Sequence, residues 1–196
     1  MSAPRPNDQP PAGNLAGWPL LTVEQFAQLP DDPFWRYELV RGRVVREPPV
    51  GVPHGSIAAK LAHFLLEFVE PRGLGSVRVE SGYVLARDPD TVRGPDISFV
   101  RRERLESYGN GGWPHTPPDL AAEVLSPSDR SGKVQEKVQD YLGSGCCLVW
   151  LVDARRRTVT VHEPPGAARV VSEHEELDGG AVLRGFRLPV LRLFAQ

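Results

Sequence analysis

Two acidic residues stand where an acid needs a reason. Asp96 follows Pro95 at the mouth of the apolar run DISFV, and Glu123 lies inside LAAEVL with apolar residues on both sides. Taking a carboxylate out of water into a strand interior is costly unless it is paired or coordinates a metal. At the ends of neighbouring strands, the two would form an oxygen-rich site suited to Mg²⁺, which takes one or two carboxylates and fills its shell with water and substrate phosphate. Each also has an ordinary alternative. Asp96 can be a turn carboxylate after proline, and Glu123 can be half of a buried ion pair with an arginine.

The cations give a second signal. Twenty arginines and three lysines make up the 23 basic residues, and the lysines are Lys60, Lys133 and Lys137. Lys133, Lys137 and Tyr141 recur every four residues after Glu123, which puts them on one face of a helix. A compact ammonium turned toward the carboxylates could hold an attacking water or neutralise charge developing on a phosphate. Lys133 reads as part of a solvated face with Glu136 and Asp140. Lys137, one turn before Tyr141, is the preferred catalytic cation.

The elements that must position these groups follow from pattern. Thr22 and Gln25 predict a capping box opening a short helix through Leu29. WRYELV and RVVRE around Gly42 predict a β-hairpin, and Ile57, Leu61, Phe64, Leu65 and Phe68 predict a helix over Ser56–Glu70. SVRVESGYVLA alternates as one half-buried strand with an irregularity at Gly82. DISFV, LAAEVL and CCLVWLV read as central strands covered on both faces. A helix over 129–143 between the last two makes a crossover joining parallel neighbours. TVTVHE predicts an antiparallel strand, and VLRGFRLPVLRLF a short strand with a terminal apolar segment. Residues 1–17, rich in Pro, Gly and Ala, read as a disordered tail, and 18–196 as one domain.

Composition excludes several classes. The chain has 196 residues, 40% hydrophobic and 24% charged, with net charge −2, so it has no general attraction to nucleic acid or anionic lipid. DNA contact would need a local patch, for which Arg101, Arg102 and Arg104 are candidates, although a solvated helix start is the better explanation of them. Cys146 and Cys147 are adjacent and suit neither a disulfide framework nor a metal site, so they read as core residues of a cytosolic protein. No segment has the apolar length of a signal peptide or a membrane span, and the protein is expected in the cytoplasm. His54 reads as a helix-entry cap or surface group. His63, His115, His162 and His174 lack metal-ligand spacing, and Ser126 and Ser128 flank Pro127 as helix-entry residues.

YELVRGRVV, HGSIAAKLAHFL, RGPDISFVRRERL, PDLAAEVLSPSDR, EKVQDYL and LVWLVD, from Tyr37 to Asp153, carry a family resemblance. The chain resembles the PD-(D/E)XK nuclease superfamily and, within it, the Uma-type family of predicted restriction endonucleases, also described as a domain of unknown function. The resemblance implies an α/β fold, a restriction-endonuclease-like mixed central sheet flanked by helices. It further implies that Asp96 and Glu123 bind Mg²⁺, with Mn²⁺ able to substitute, for hydrolysis of DNA. Glu38, in YEL, matches an additional acidic position, although pairing with Arg41 or Arg43 would equally account for it. The superfamily places a lysine two residues after the second carboxylate, where this chain has Leu125. The Uma-type pattern carries it on the next helix, at the position of Lys137. Superfamily nucleases commonly act as dimers, so a homodimer is expected. Two competing readings remain: a catalytically silent relative serving as a nucleic-acid-binding or assembly module, and a structural domain with a buried Glu–Arg pair.

Overall fold

A computed structural model describes residues 19–30, 32, 35–108, 112–127 and 129–195. The predicted N-terminal tail and Ser128 lie outside them. The first helix, α1 (Val23–Phe26), opens on the expected capping box, in which Thr22 Oγ1 accepts from the Gln25 amide and Gln25 Oε1 from the Thr22 amide. It stops three residues short of the predicted end. The amides of Gln28 and Leu29 reach back only three residues, so the chain tightens into turns before Pro30.

The hairpin forms as predicted. Strand β1 (Arg36–Val40) pairs antiparallel with β2 (Arg43–Glu47) across a loop of Arg41 and Gly42, both with positive φ, 49° and 75°. That is the two-residue turn whose twist suits a hairpin. Helix α2 (Val52–Val69) begins four residues before the predicted Ser56, because Pro53 fits the first turn, where no amide partner is needed. His54, Ile57, Leu61, Ala62, Leu65 and Val69 form its buried stripe.

The single strand expected over SVRVESGYVLA is two. Strand β3 (Gly75–Val79) and strand β4 (Tyr83–Ala86) enter different sheets, parted by Glu80 in the left-handed region at φ 51°. Gly82 lies against the Trp113 indole so closely that a Cβ there would come within 2.6 Å of it. Strand β5 (Thr91–Arg93) was not foreseen, since three residues carry no readable period. Strand β6 (Ile97–Arg101) runs into a 3₁₀ helix (Arg102–Tyr108). Then come β7 (Leu120–Leu125), α3 (Ser131–Gly143) and β8 (Leu148–Asp153), with β7 and β8 parallel as expected of the crossover. Strand β9 (Thr158–Glu163) is antiparallel to β8, and β10 (Ala167–Ser172), β11 (Glu176–Gly179), β12 (Leu183–Pro189) and α4 (Leu191–Phe194) complete the chain.

Among the described residues the strands form three sheets: a mixed six-stranded one in the order β10-β9-β8-β7-β6-β3, an antiparallel one in the order β2-β1-β5-β4, and the pair β11-β12. Alternation along β7 and β8 divides the large sheet's faces. Leu120, Ala122, Val124, Leu148, Trp150 and Val152 pack with α2, Phe186 and the C-terminal segment. Ala121, Val149 and Leu151 pack with Val138 and Tyr141 of α3. Glu123 shares the α3 side with Ala121. The small sheet has its own apolar cluster, formed by Leu39, Val44, Val84 and Val92 with α1. Cys146 is buried in the α3 layer, but Cys147 is exposed, which corrects the expectation that both are core residues. Adjacent residues entering a strand point to opposite sides.

Candidate active site

Pro95 ends the irregular link from β5, and Asp96 is the last residue before β6. Ile97 pairs with Ala122 in antiparallel register, so one step further brings Asp96 opposite Glu123. Asp96 is 3% exposed. Its Oδ2 accepts the Val124 amide at 2.7 Å and lies 3.1 Å from His54 Nε2, while Arg36 Nη2 stands 3.6 Å from Oδ1. Burial works against its charge, but His54, the Val124 amide and Arg36 outweigh it and hold the carboxyl below its usual range.

Glu123 has the opposite balance. It is buried in mid-strand, accepts the Tyr141 hydroxyl on Oε1 at 2.7 Å, and has Lys137 Nζ 3.6 Å from Oε2. Burial first, then the nearby Asp96 and Glu38 charges, push its carboxyl up to about 7 against the pull of Lys137 and Tyr141. Burial, with the charges of Glu123 and Glu38, also raises the Tyr141 hydroxyl well above its ordinary value, so it remains a donor.

Helix α3 aims Lys137 into a nest of carboxylates: Glu38 Oε1 at 3.5 Å, Glu47 Oε1 at 3.6 Å and Glu123 Oε2 at 3.6 Å. Burial opposes its charge, but the three carboxylates prevail and raise the amine above its ordinary value. Glu38 is fixed by Arg93 Nη1 on Oε2 at 2.8 Å and by the Gly94 amide on Oε1 at 3.2 Å. Burial would raise its carboxyl, yet Lys137 and Arg93 lower it. Arg93 also donates twice to Asp140 of α3, from Nε at 3.0 Å and Nη2 at 2.7 Å.

Asp96, Glu123, Lys137 and Glu38 thus come together. Several expectations about their neighbours need correction. Glu38 pairs with Arg93, not with Arg41 or Arg43, and Arg41 turns instead to Glu136 and Asp140 of α3. Those two helix acids therefore face Arg41 of the hairpin and Arg93 of β5, and not the lysines. Lys133 is exposed, as expected. His54 is neither cap nor surface: it is buried and touches Asp96, and among the described residues its Nδ1 has no hydrogen-bond partner. Its place three and seven residues before Ile57 and Leu61, on the same stripe, was the signal that could have found it. Glu47 was also missed, since the end of a hairpin strand looks like surface in a sequence. Arg101 and Arg104 are gathered around buried Asp119, whose oxygens accept the Arg101 amide at 2.9 Å and Arg104 Nη1 at 2.7 Å. They serve a structural knot, and the basic cluster is not a free patch.

The residues fit a hard divalent cation. Asp96 Oδ1 and Glu123 Oε2 each face a cation only at 3.6 Å, beyond a normal hydrogen bond, so each keeps lone pairs to offer. Among the described residues no group of three or more His, Cys, Asp and Glu could hold a metal. Two carboxylates completed by water is the pattern Mg²⁺ accepts, and one that Zn²⁺ seldom uses. A cleft of about 370 Å³ opens beside Glu123 and Lys137, with Arg46, Arg130 and Lys133 on its walls.

A family model described as "Putative restriction endonuclease", Uma2, matches residues 23–191. The chain belongs to that family. No curated protein matches it significantly. Among solved structures, one described as a putative nuclease belonging to DUF820, from Anabaena variabilis, matches with 23% identity and a TM-score of 0.77. It covers 89% of this chain and 97% of its own. That likeness establishes the fold, a mixed central sheet flanked by helices, for this Uma2 chain. Among the described residues no helix is long and apolar enough to cross a membrane.

Proposed function

We propose that the protein is a metal-dependent endonuclease that hydrolyses DNA phosphodiester bonds at the Asp96–Glu123 cleft, with Mg²⁺ as its cofactor and Mn²⁺ able to substitute. One observation carries the reading. Lys137 Nζ of α3 lies 3.6 Å from Glu123, which supports it as the amine that the superfamily pattern wants beside the second carboxylate, although the strand position is Leu125. Membership of the Uma2 family supports the same activity.

Asp96 and Glu123 would hold the cation, which when bound supplies Lewis acidity at the scissile phosphate and acidifies water. The chain does the rest. The Val124 amide and His54 fix the Asp96 carboxylate, and the Tyr141 hydroxyl fixes that of Glu123. Glu38 and Glu47 keep the Lys137 ammonium charged and close to where a phosphate oxygen would gain negative charge. A water oxygen bonds to phosphorus as the bond to the leaving oxygen breaks; the attacking water gives up a proton to solvent, and the leaving oxygen takes one back from solvent, so the step adds one water across the bond. Arg93 and Gly94 hold Glu38 in place throughout.

The test is nicking of supercoiled plasmid in Mg²⁺, Mn²⁺ or EDTA. Cleavage is expected with either cation, and its loss is expected in Asp96→Asn and Glu123→Gln variants that keep the wild-type circular dichroism. Undiminished cleavage in Asp96→Asn would sink the reading. The same proposal expects a cytoplasmic homodimer, which sedimentation can check for assembly.

A second reading has its own support. The Lys137 charge is already shared among three carboxylates, so the network can stand as a structural core in a silent, nucleic-acid-binding or assembly module. Calorimetry separates the two: a Mn²⁺ signal identical in wild type and Asp96→Ala favours the silent module.

A further inference from the structure

On the other side of Glu38 and Glu47 lies a second cleft, of about 410 Å³, walled by aromatic rings. It meets the first at Glu47, which lines both. Trp113 closes one wall. Its indole stacks on Phe26 with centroids 5.0 Å apart and planes at 30°, and rests on the bare backbone of Gly82. Trp35 and Tyr37 form another wall. Asp32 ties the two together, accepting the Trp35 amide at 3.2 Å and the Tyr37 hydroxyl at 2.8 Å. The Arg46 guanidinium lies over both rings, 5.7 Å from the Trp35 centroid and 5.8 Å from that of Tyr37, and Trp35 still keeps 39% of its surface exposed.

The two clefts differ in the charge they offer. The cleft beside Glu123 sets four cations, Arg46, Arg130, Lys133 and Lys137, against three carboxylates, a small positive excess that suits a phosphate backbone. The aromatic cleft has Asp32, Glu38, Glu47 and Glu80 on its walls against Arg36, so it repels phosphate but accepts a neutral flat ring. Exposed aromatic faces stack nucleobases without regard to their sequence, and carboxylates accept hydrogen bonds from exocyclic amino groups. A base inside a duplex cannot reach such a cleft, because its faces are already stacked.

We infer that the aromatic cleft receives one unpaired, amino-bearing nucleobase of the strand whose backbone lies at Asp96 and Glu123. The preferred substrate is then a single strand, a gap, a flap or a base turned out of its stack. The inference rests on the nuclease reading for the identity of its substrate, but its test requires no cleavage.

Binding is measured by fluorescence anisotropy in EDTA, with a labelled adenine-containing 12-nucleotide single strand, a thymine-only strand and a blunt duplex. The adenine strand is expected to bind at least about tenfold more tightly than the duplex. Trp35→Ala should erase about tenfold of that affinity, the size of one lost base–aromatic stack, while duplex binding stays unchanged and Trp35→Phe recovers most of the loss. Equal loss for strand and duplex, or no loss for either, overturns the inference. So does a thymine-only strand that binds as tightly as the adenine strand, or free deoxyadenosine monophosphate that binds as tightly as the oligonucleotide. Trp35-dependent binding without any plasmid nicking would leave this inference standing and remove the nuclease reading. Asp96-dependent nicking with no effect of Trp35→Ala would do the reverse.

Discussion

Lys137 answers to three carboxylates at nearly equal distance, so its removal does two things. Lys137→Met should lower plasmid cleavage by about 100-fold, as expected when one preorganised positive group is lost. It should also destabilise the fold by about 3 kcal/mol, because buried carboxylates lose their partner. Kinetics and urea melts on one preparation measure both. Glu123 gives a pH signature. Burial and its acidic neighbours raise its carboxyl from 4.5 to about 7, so folding favours the protonated form. The stability this supplies is complete below pH 4.5 and is lost as pH rises to 7. In EDTA, the melting temperature of the wild type should fall across that window more steeply than that of Glu123→Gln. Equal slopes would show that Glu123 titrates elsewhere. Glu38, whose carboxyl is lowered, acts in the separate window below its ordinary value. The cysteines form a third test. Burial pushes the Cys146 thiol up to about 12, while Cys147 is exposed, so native protein should take one equivalent of an alkylating reagent at neutral pH, at Cys147.

Among the elements, those with a long period were legible and those with a short one were not. The β7–α3–β8 unit could be read because apolar runs of six residues flank a helix with Val134, Val138, Tyr141 and Leu142 in phase. Asp96 and Glu123 were legible as acids in apolar surroundings. The split between β3 and β4 was hidden because the alternation passes through Glu80 and Gly82 unbroken, and only the positive φ of Glu80 and the approach of Trp113 divide it. Strands β5, β10 and β11 were missed for want of apolar run and period. Arg93 and Glu47 were missed because their partners lie 47 residues or more away and are brought close only by the packing of the hairpin on α3. Two glycines test the local reading. Gly42→Ala should cost about 1 kcal/mol, because its φ of 75° strains an L residue and Leu20 lies 3.1 Å from the new Cβ. Gly55→Ala, within α2 and with nothing inside 4 Å, should stabilise by about 0.5 kcal/mol. Chemical denaturation of both variants gives the comparison.

Across the whole molecule, apolar packing and polar packing occupy different places. The large core runs from α2 through the six-stranded sheet to α4. Leu61, fully buried in it, should cost about 2–5 kcal/mol when cut to alanine, without altering relative affinity for single strand and duplex. The apolar cluster of the small sheet contains no residue of that core or of α3. What joins the β1–β2 hairpin to α3 is charge: Arg41 with Glu136, Glu38 through Arg93 to Asp140, and Glu38 and Glu47 on Lys137. The hairpin is thus a jaw seated on an ionic seam, and the stiffness of that seam is set by the same groups that would meet a substrate. A ligand lodged there adds a rivet to a joint whose oil comes from β4, through Leu85 on the α3 layer and Tyr83 on Val100.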